Sequence, residues 1–196
     1  MRRKLTSLLI GLGITGTSLF AMTGSAQGHG YTDSPVTSRQ KLCANRTVAN
    51  CGSIVWEPQS VEGLKGFPAA GPADGTICAG GNSRFSELDD PRGGAWPATR
   101  VSGGSAQNFT WRFTARHSTT DFRYYITKDG YNPSQRLTRA ALESQPFLVV
   151  PYRGQPPESL SHSGTLPRKT GKHLILAVWT IADTGNAFYA CSDVQF

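Results

Sequence analysis

The chain has 196 residues, 38% of them hydrophobic and 17% charged, with a formal net charge of +7. That length suits one domain with a real core. The basic excess is mild and holds no Lys/Arg run and no basic helix, which argues against nucleic acid as a partner.

The first element in chain order is a leader. Arg2, Arg3 and Lys4 precede an apolar run (8–20) interrupted by Gly11, Gly13 and Gly16, and small residues follow at Ser25, Ala26 and Gly28. A positive start, a short apolar stretch and small residues at −3 and −1 describe a secretory signal peptide cut between Gly28 and His29. The run is too short and too rich in Gly and Thr for a membrane span of about 20 residues. The neighbours of Arg2-Arg3 match twin-arginine export poorly, so general secretion is the reading, with a secreted, extracellular product. Cleavage leaves 168 residues and a net charge of +4. Nothing after residue 28 reads as a membrane span.

Residues 29–107 are rich in Gly, Pro, Ser, Asn and Asp and poor in periodic apolar runs. Helical turns are expected at VEGLKG (61–66) and RFSELDD (84–90). From residue 108 the texture changes. NFTWRFTA (108–115) alternates strictly, with Phe109, Trp111, Phe113 and Ala115 on one face, as a half-buried strand does. DFRYYIT (121–127) is aromatic and β-branched, and PFLVVPY lies within 145–152. HLILAVWTI (173–181) is apolar on both faces and predicts a central strand. AFYACSDVQF closes the chain as a last strand. These elements predict one all-β domain, an antiparallel β-sandwich with a long loop and short-helix insertion between early strands.

Cys43, Cys51, Cys78 and Cys191 are four in number, which in a secreted chain implies two disulfides. Three connectivities are open. Cys43 and Cys51 are close enough to staple one loop, and Cys78 with Cys191 would then tie an early loop to the last strand. Their spacing fits no zinc pattern.

Four histidines are present: His29, His117, His162 and His173. His162, in SLSHSGTLP, and His173, at the start of the central strand, read as exposed or cap-like. His29 is different. As residue one it would carry a free α-amine, with a reference pKa near 7.7–8.0, beside its imidazole. Those two nitrogens and one from a second histidine suit the tetragonal preference of Cu(II). His117, just past the alternating strand, is the candidate second histidine, and its parity puts it on the Ala115 side.

HGYTDSP at the new N-terminus, EPQSVEGLKGFPAAGPADG (57–75), TWRFTARHSTTDFRYYITK (110–128) and LAVWTIADTGNAFY (176–189) occur in this order. Together they closely resemble the bacterial lytic polysaccharide monooxygenases of auxiliary activity family 10, over nearly all the mature chain. The resemblance implies an immunoglobulin/fibronectin-III-like sandwich and one copper ion held by the amine and side chain of His29 and by His117. It places Phe188 at one axial side of the copper, Ala115 crowding the other, and Glu62 reaching toward the copper pocket. It sets Trp179 beneath the site, a residue that reads equally well as plain core. Trp56 and Glu57 would contact polysaccharide, with Asp183, Thr184 and Asn186 on the same surface. The family often has Tyr where this chain has Trp56. The Cys43–Cys51 loop fits the family, and Cys78–Cys191 is then the remaining pair.

The resemblance thus implies a monomeric enzyme that oxidatively cleaves crystalline chitin at C1, fed by an external electron donor and O2 or H2O2. A non-catalytic chitin-binding protein and a cellulose-active member of the family are the alternatives. A glycoside hydrolase could use Glu57 and Glu62 as its two carboxylates, but that reading leaves His29 and His117 without a role.

Overall fold

The computed structural model describes residues 28–196. Of the leader expected at 1–28, all but Gly28 lies outside these residues. The expected all-β sandwich is present. Its strands are β1 (His29–Pro35), β2 (Glu62–Leu64), β3 (Thr99–Arg100), β4 (Ala106–Ala115), β5 (Thr119–Ile126), β6 (Leu148–Pro151), β7 (Ser159–Thr165), β8 (Lys172–Ile181) and β9 (Asn186–Gln195). One sheet has the order β1-β4-β7 and the other β2-β9-β8-β5-β6, with β3 added to β9. All pairs are antiparallel except β3 with β9, which is parallel.

The larger sheet has two cores, one on each face. Between the sheets lie Phe109, Trp111 and Phe113 of β4, Phe122 and Tyr124 of β5, and Ile175, Ala177 and Trp179 of β8. On the other face Leu174, Leu176 and Val178 of β8 and Tyr189 and Cys191 of β9 pack against the segment 43–96. Alternate residues of β8 therefore enter different cores. This is why its sequence is apolar on both faces.

The long insertion holds helix α1 (Arg39–Ala44) and short 3-10 turns, including Ser83–Leu88, as expected from RFSELDD. Ser38 caps α1 by accepting from the Lys41 amide. The VEGLKG segment is corrected: its middle is strand β2, because Glu62, Gly63 and Leu64 pair with Phe188, Ala187 and Asn186. Only 148–151 of the PFLVVPY region forms a strand.

Both disulfides are formed, Cys43–Cys51 and Cys78–Cys191. The second closes a separation of 113 residues and joins the insertion to β9. Cross-linking so long a loop restricts the unfolded chain strongly. The double variant Cys78→Ala/Cys191→Ala is expected to lose about 3–5 kcal/mol of stability. Urea unfolding at neutral pH measures it.

His162 and His173 are neither exposed nor cap-like; they are 5% and 3% exposed. His173 Nδ1 lies 2.9 Å from Thr127 Oγ1 and its ring packs edge-on to Phe196. His162 sits on β7, whose polar sequence SLSHSGT conceals a strand that pairs with β4. The Tyr124 hydroxyl accepts from Trp111 Nε1 at 3.0 Å and shares a hydrogen bond of 2.6 Å with His162 Nδ1. His162 Nε2 is buried without a partner.

Burial pushes the His162 pKa down to about 4. The unfolded chain, with a histidine pKa near 6.5, therefore binds more protons between pH 6.5 and 4, and stability falls as pH drops through that window. Asp89 acts oppositely: burial raises its pKa to about 6, so folding gains as the same window is acidified. The two contributions partly cancel. Comparison with His162→Gln isolates the first, and the variant is expected to lose about 2–3 kcal/mol less stability than wild type from pH 7 to 4.5. Urea titrations at the two pH values provide the readout.

Candidate metal centre

His29 opens β1, opposite Ala115, the last residue of β4. His117 lies two residues further on, in the short link from β4 to β5. The strand register alone therefore carries both histidines to one end of the small sheet. Gly28 joins them in space. A methyl group built on Gly28 would stand 2.8 Å from Phe188 Cε2 and 3.0 Å from His117 Cδ2. The residue bonded to the His29 nitrogen thus packs against both the His117 ring and Phe188.

Glycine is also required on the other side of His29. A Cβ on Gly30 would meet Phe113 Cδ1 at 2.8 Å and Trp179 Cζ3 at 3.1 Å. The bare backbone lies directly on the aromatic core there, and the Gly30 amide donates to the Gln59 carbonyl at 2.9 Å. That bond ties the start of β1 to the segment that follows Trp56 and Glu57.

His117 is 5% exposed, and its Nδ1 lies 3.5 Å from Asp183 Oδ1. Its backbone is fixed from below: Trp179 Nε1 donates to Thr119 Oγ1 at 2.7 Å, and that hydroxyl donates to the His117 carbonyl at 3.1 Å. Trp179 is both core and support, since it is fully buried and its ring centroid lies 4.9 Å from that of Phe188. The sequence offers no signal for the Thr119 link, because a serine/threonine run after a histidine is common.

Phe188 is fully buried and sits opposite both Trp179 of β8 and Glu62 of β2. Glu62 Oε1 accepts from Asn186 Nδ2 at 2.8 Å, and the Asn186 amide donates to Thr184 Oγ1 at 3.2 Å. Lys65 holds this turn. Its ammonium donates to the Ile181 carbonyl at 3.2 Å and also to that of Thr184, and its amide donates to the Gly185 carbonyl at 3.0 Å. Asp183 and Asn186 thereby keep their places beside His117 and Glu62.

An open groove of about 520 Å³ starts at His29 and is lined by Glu57, Glu62, Asn82, Arg84 and Asn186. Trp56, the chain neighbour of Glu57, stands 77% exposed. The Arg46 guanidinium lies over that ring, 4.7 Å from its centroid. Glu57 pairs with Arg84. Neither arginine is visible as a site residue from sequence, since Arg46 follows α1, Arg84 sits in the Ser83–Leu88 turn, and both lie outside the motifs that carry the resemblance.

Among the described residues no three His, Cys, Asp or Glu side chains cluster as a metal site. Two imidazoles beside an apolar ring and a small side chain, Ala115, make an incomplete donor set. A freed His29 amine would complete it with a third nitrogen, and nitrogen donors in that number fit copper. Removal of Gly28 would also clear the space it fills against His117 and Phe188. The residues present therefore fit the metal only in the processed chain.

The family model described as "Lytic polysaccharide mono-oxygenase, cellulose-degrading" matches residues 29–194. The lytic polysaccharide monooxygenase from Streptomyces lividans, of family AA10, is 64% identical, with a TM-score of 0.83 over 86% of this chain and 100% of that one. A Bacillus amyloliquefaciens CBM33 in complex with Cu(I) is 39% identical, with a TM-score of 0.77 over 85% of this chain and 99% of its own. GlcNAc-binding protein A of Shewanella oneidensis is 43% identical over 197 residues, covering 98% of this chain and 41% of that protein. The chain spans about half or less of the length of the curated relatives it matches. The start of the family match at His29, the shared sandwich and the identity to the Streptomyces enzyme agree: the chain belongs to the lytic polysaccharide monooxygenases of family AA10.

Proposed function

We propose that this chain, once cut after Gly28 and secreted, acts as a monomeric copper-dependent enzyme that cleaves crystalline chitin oxidatively, with attack at C1 and aldonic-acid chain ends. The observation that carries the reading is the convergence of His29 and His117 at one end of the sandwich, where His29 opens a groove lined by Glu57, the chain neighbour of the exposed Trp56. The Cu(I) complex of the Bacillus relative supports copper, and the name GlcNAc-binding protein A supports a polymer of N-acetylglucosamine.

The His29 amine and ring and the His117 ring would hold the metal. Copper, when bound, supplies one-electron redox chemistry, fed by an external reductant and O2 or H2O2. The protein's own residues do the rest. Trp56 offers a flat apolar ring to the C–H face of a sugar, the contact that a crystalline surface allows. Glu57 gives an acceptor to hydroxyl or amide groups next to it. Asp183, 3.5 Å from His117 Nδ1, would help to set the orientation of the ring that holds the metal. Glu62, held by Asn186, can hold or return a proton at the groove beside His29. Ala115 and the buried Phe188 keep the flanks of the centre apolar.

Binding and products on β-chitin and on cellulose test the substrate. The processed wild type is expected to bind β-chitin, and Trp56→Ala to bind it about tenfold more weakly, as loss of a central aromatic anchor does. Aldonic-acid ends are expected from chitin. Oxidised ends from cellulose alone would reassign the substrate, and ends oxidised at C4 would overturn the C1 assignment.

A further inference from the structure

We propose that Arg84 sets the polymer selectivity of the binding face by cancelling the charge of Glu57, so that the face favours the neutral, acetylated polymer over a deacetylated, cationic one. This rests on the reading of the Trp56 face as a polysaccharide surface.

Three observations carry it. The Arg84 guanidinium pairs with Glu57, and the two side chains are 61% and 23% exposed. Both line the groove that begins at His29, and Glu57 directly follows the exposed Trp56. The other carboxylate of the groove, Glu62, is engaged by the Asn186 amide, a neutral partner. Glu57 is therefore the acid whose charge the binding surface neutralises with a cation of its own. The Arg84 backbone is anchored separately. Its amide donates to Asn82 Oδ1 at 3.0 Å and its carbonyl accepts from Ser53 Oγ at 2.9 Å. Those bonds survive a change of side chain.

The chemistry follows from the pairing. A sugar with its acetamido group intact is neutral and asks for hydrogen bonds and stacking. A deacetylated sugar carries an ammonium group in mildly acidic solution and is drawn to any unpaired carboxylate. With Arg84 present, the Glu57 oxygens still accept hydrogen bonds but offer an ammonium little net attraction, and the guanidinium repels it. Without Arg84, Glu57 becomes a bare anion beside the stacking ring, a gain for the cationic polymer.

The test uses the processed, copper-loaded chain without reductant, so that binding is read without turnover. Adsorption is measured on chitin particles and on the same particles after chemical deacetylation, at mildly acidic pH and low salt. The expected result is that Arg84→Gln binds the deacetylated particles about three- to fivefold more tightly than wild type, the size of an exposed ion pair. The ratio of its binding to deacetylated particles over chitin should rise above that of wild type by about the same factor. Arg84→Lys should behave as wild type. In Glu57→Gln/Arg84→Gln the gain should vanish, because the anion is gone. Equal binding of wild type and Arg84→Gln to deacetylated particles overturns the proposal, as does a gain that persists in the double variant. Failure of wild type to bind chitin at all overturns the substrate reading and this inference with it. Binding to chitin with an unmoved signal on deacetylated particles overturns the role of Arg84 alone.

Discussion

His117→Ala is expected to reduce oxidative release of oligosaccharides from chitin to the level of free copper, while the fold persists. Outer partners of a metal ligand already cost 10–100-fold in affinity when removed. Loss of the ligand itself should therefore weaken copper binding by more than about 100-fold. His117 lies in a link between strands and outside both apolar cores, so stability should change far less than activity. Isothermal titration with Cu(II), thermal melting and product analysis on the same preparation separate the two. An Ala variant that keeps tight copper binding would remove His117 from the centre.

The second large effect concerns one residue that should be absent. A chain retaining a single Gly before His29 is expected to lose copper affinity by more than about 100-fold, for two reasons. Its His29 nitrogen is an amide, which does not offer a lone pair to a metal as an amine does. The extra residue also occupies the space against Phe188 and the His117 ring, where a built methyl already comes within 3.0 Å. Enzymatic removal of that Gly should restore binding in the same molecules. This rescue separates the amine from any difference in folding. Unchanged affinity in the extended chain would show that the amine is not a donor.

Much of the fold is legible where one periodicity dominates. The strict alternation of 108–115 became β4, and the two-faced apolar run 173–181 became β8, central because each of its faces enters a different core. Elements whose pairing comes from partners rather than composition were hidden. HGYTDSP reads as turn residues, yet it forms β1 because β4 supplies a template for it. VEGLKG reads as a helical turn, yet three of its residues become a strand on the edge of β9. SLSHSGT is polar on paper, yet its His162 turns inward onto Tyr124 and Phe122.

The centre divides in the same way. His29, His117, Glu62 and Phe188 were carried by motifs, and the register brings their strands to one end of the molecule. The groups that fix them were not legible. Thr119 supports the His117 backbone, Lys65 holds the turn that carries Asp183, and Arg46 and Arg84 engage Trp56 and Glu57. They act through individual hydrogen bonds, ion pairs or ring contacts, between residues from two apart, as Thr119 and His117, to 119 apart, as Lys65 and Thr184. Such single contacts leave no periodic trace in the chain.

The measurement that bears most directly on oxidative cleavage is the mass of the new chain ends. The processed, copper-loaded protein is incubated with β-chitin and a reductant, beside a control without reductant. The account predicts aldonic-acid oligosaccharides that appear only with both copper and reductant. Hydrolysed ends of unchanged oxidation state, formed equally without reductant, would contradict it.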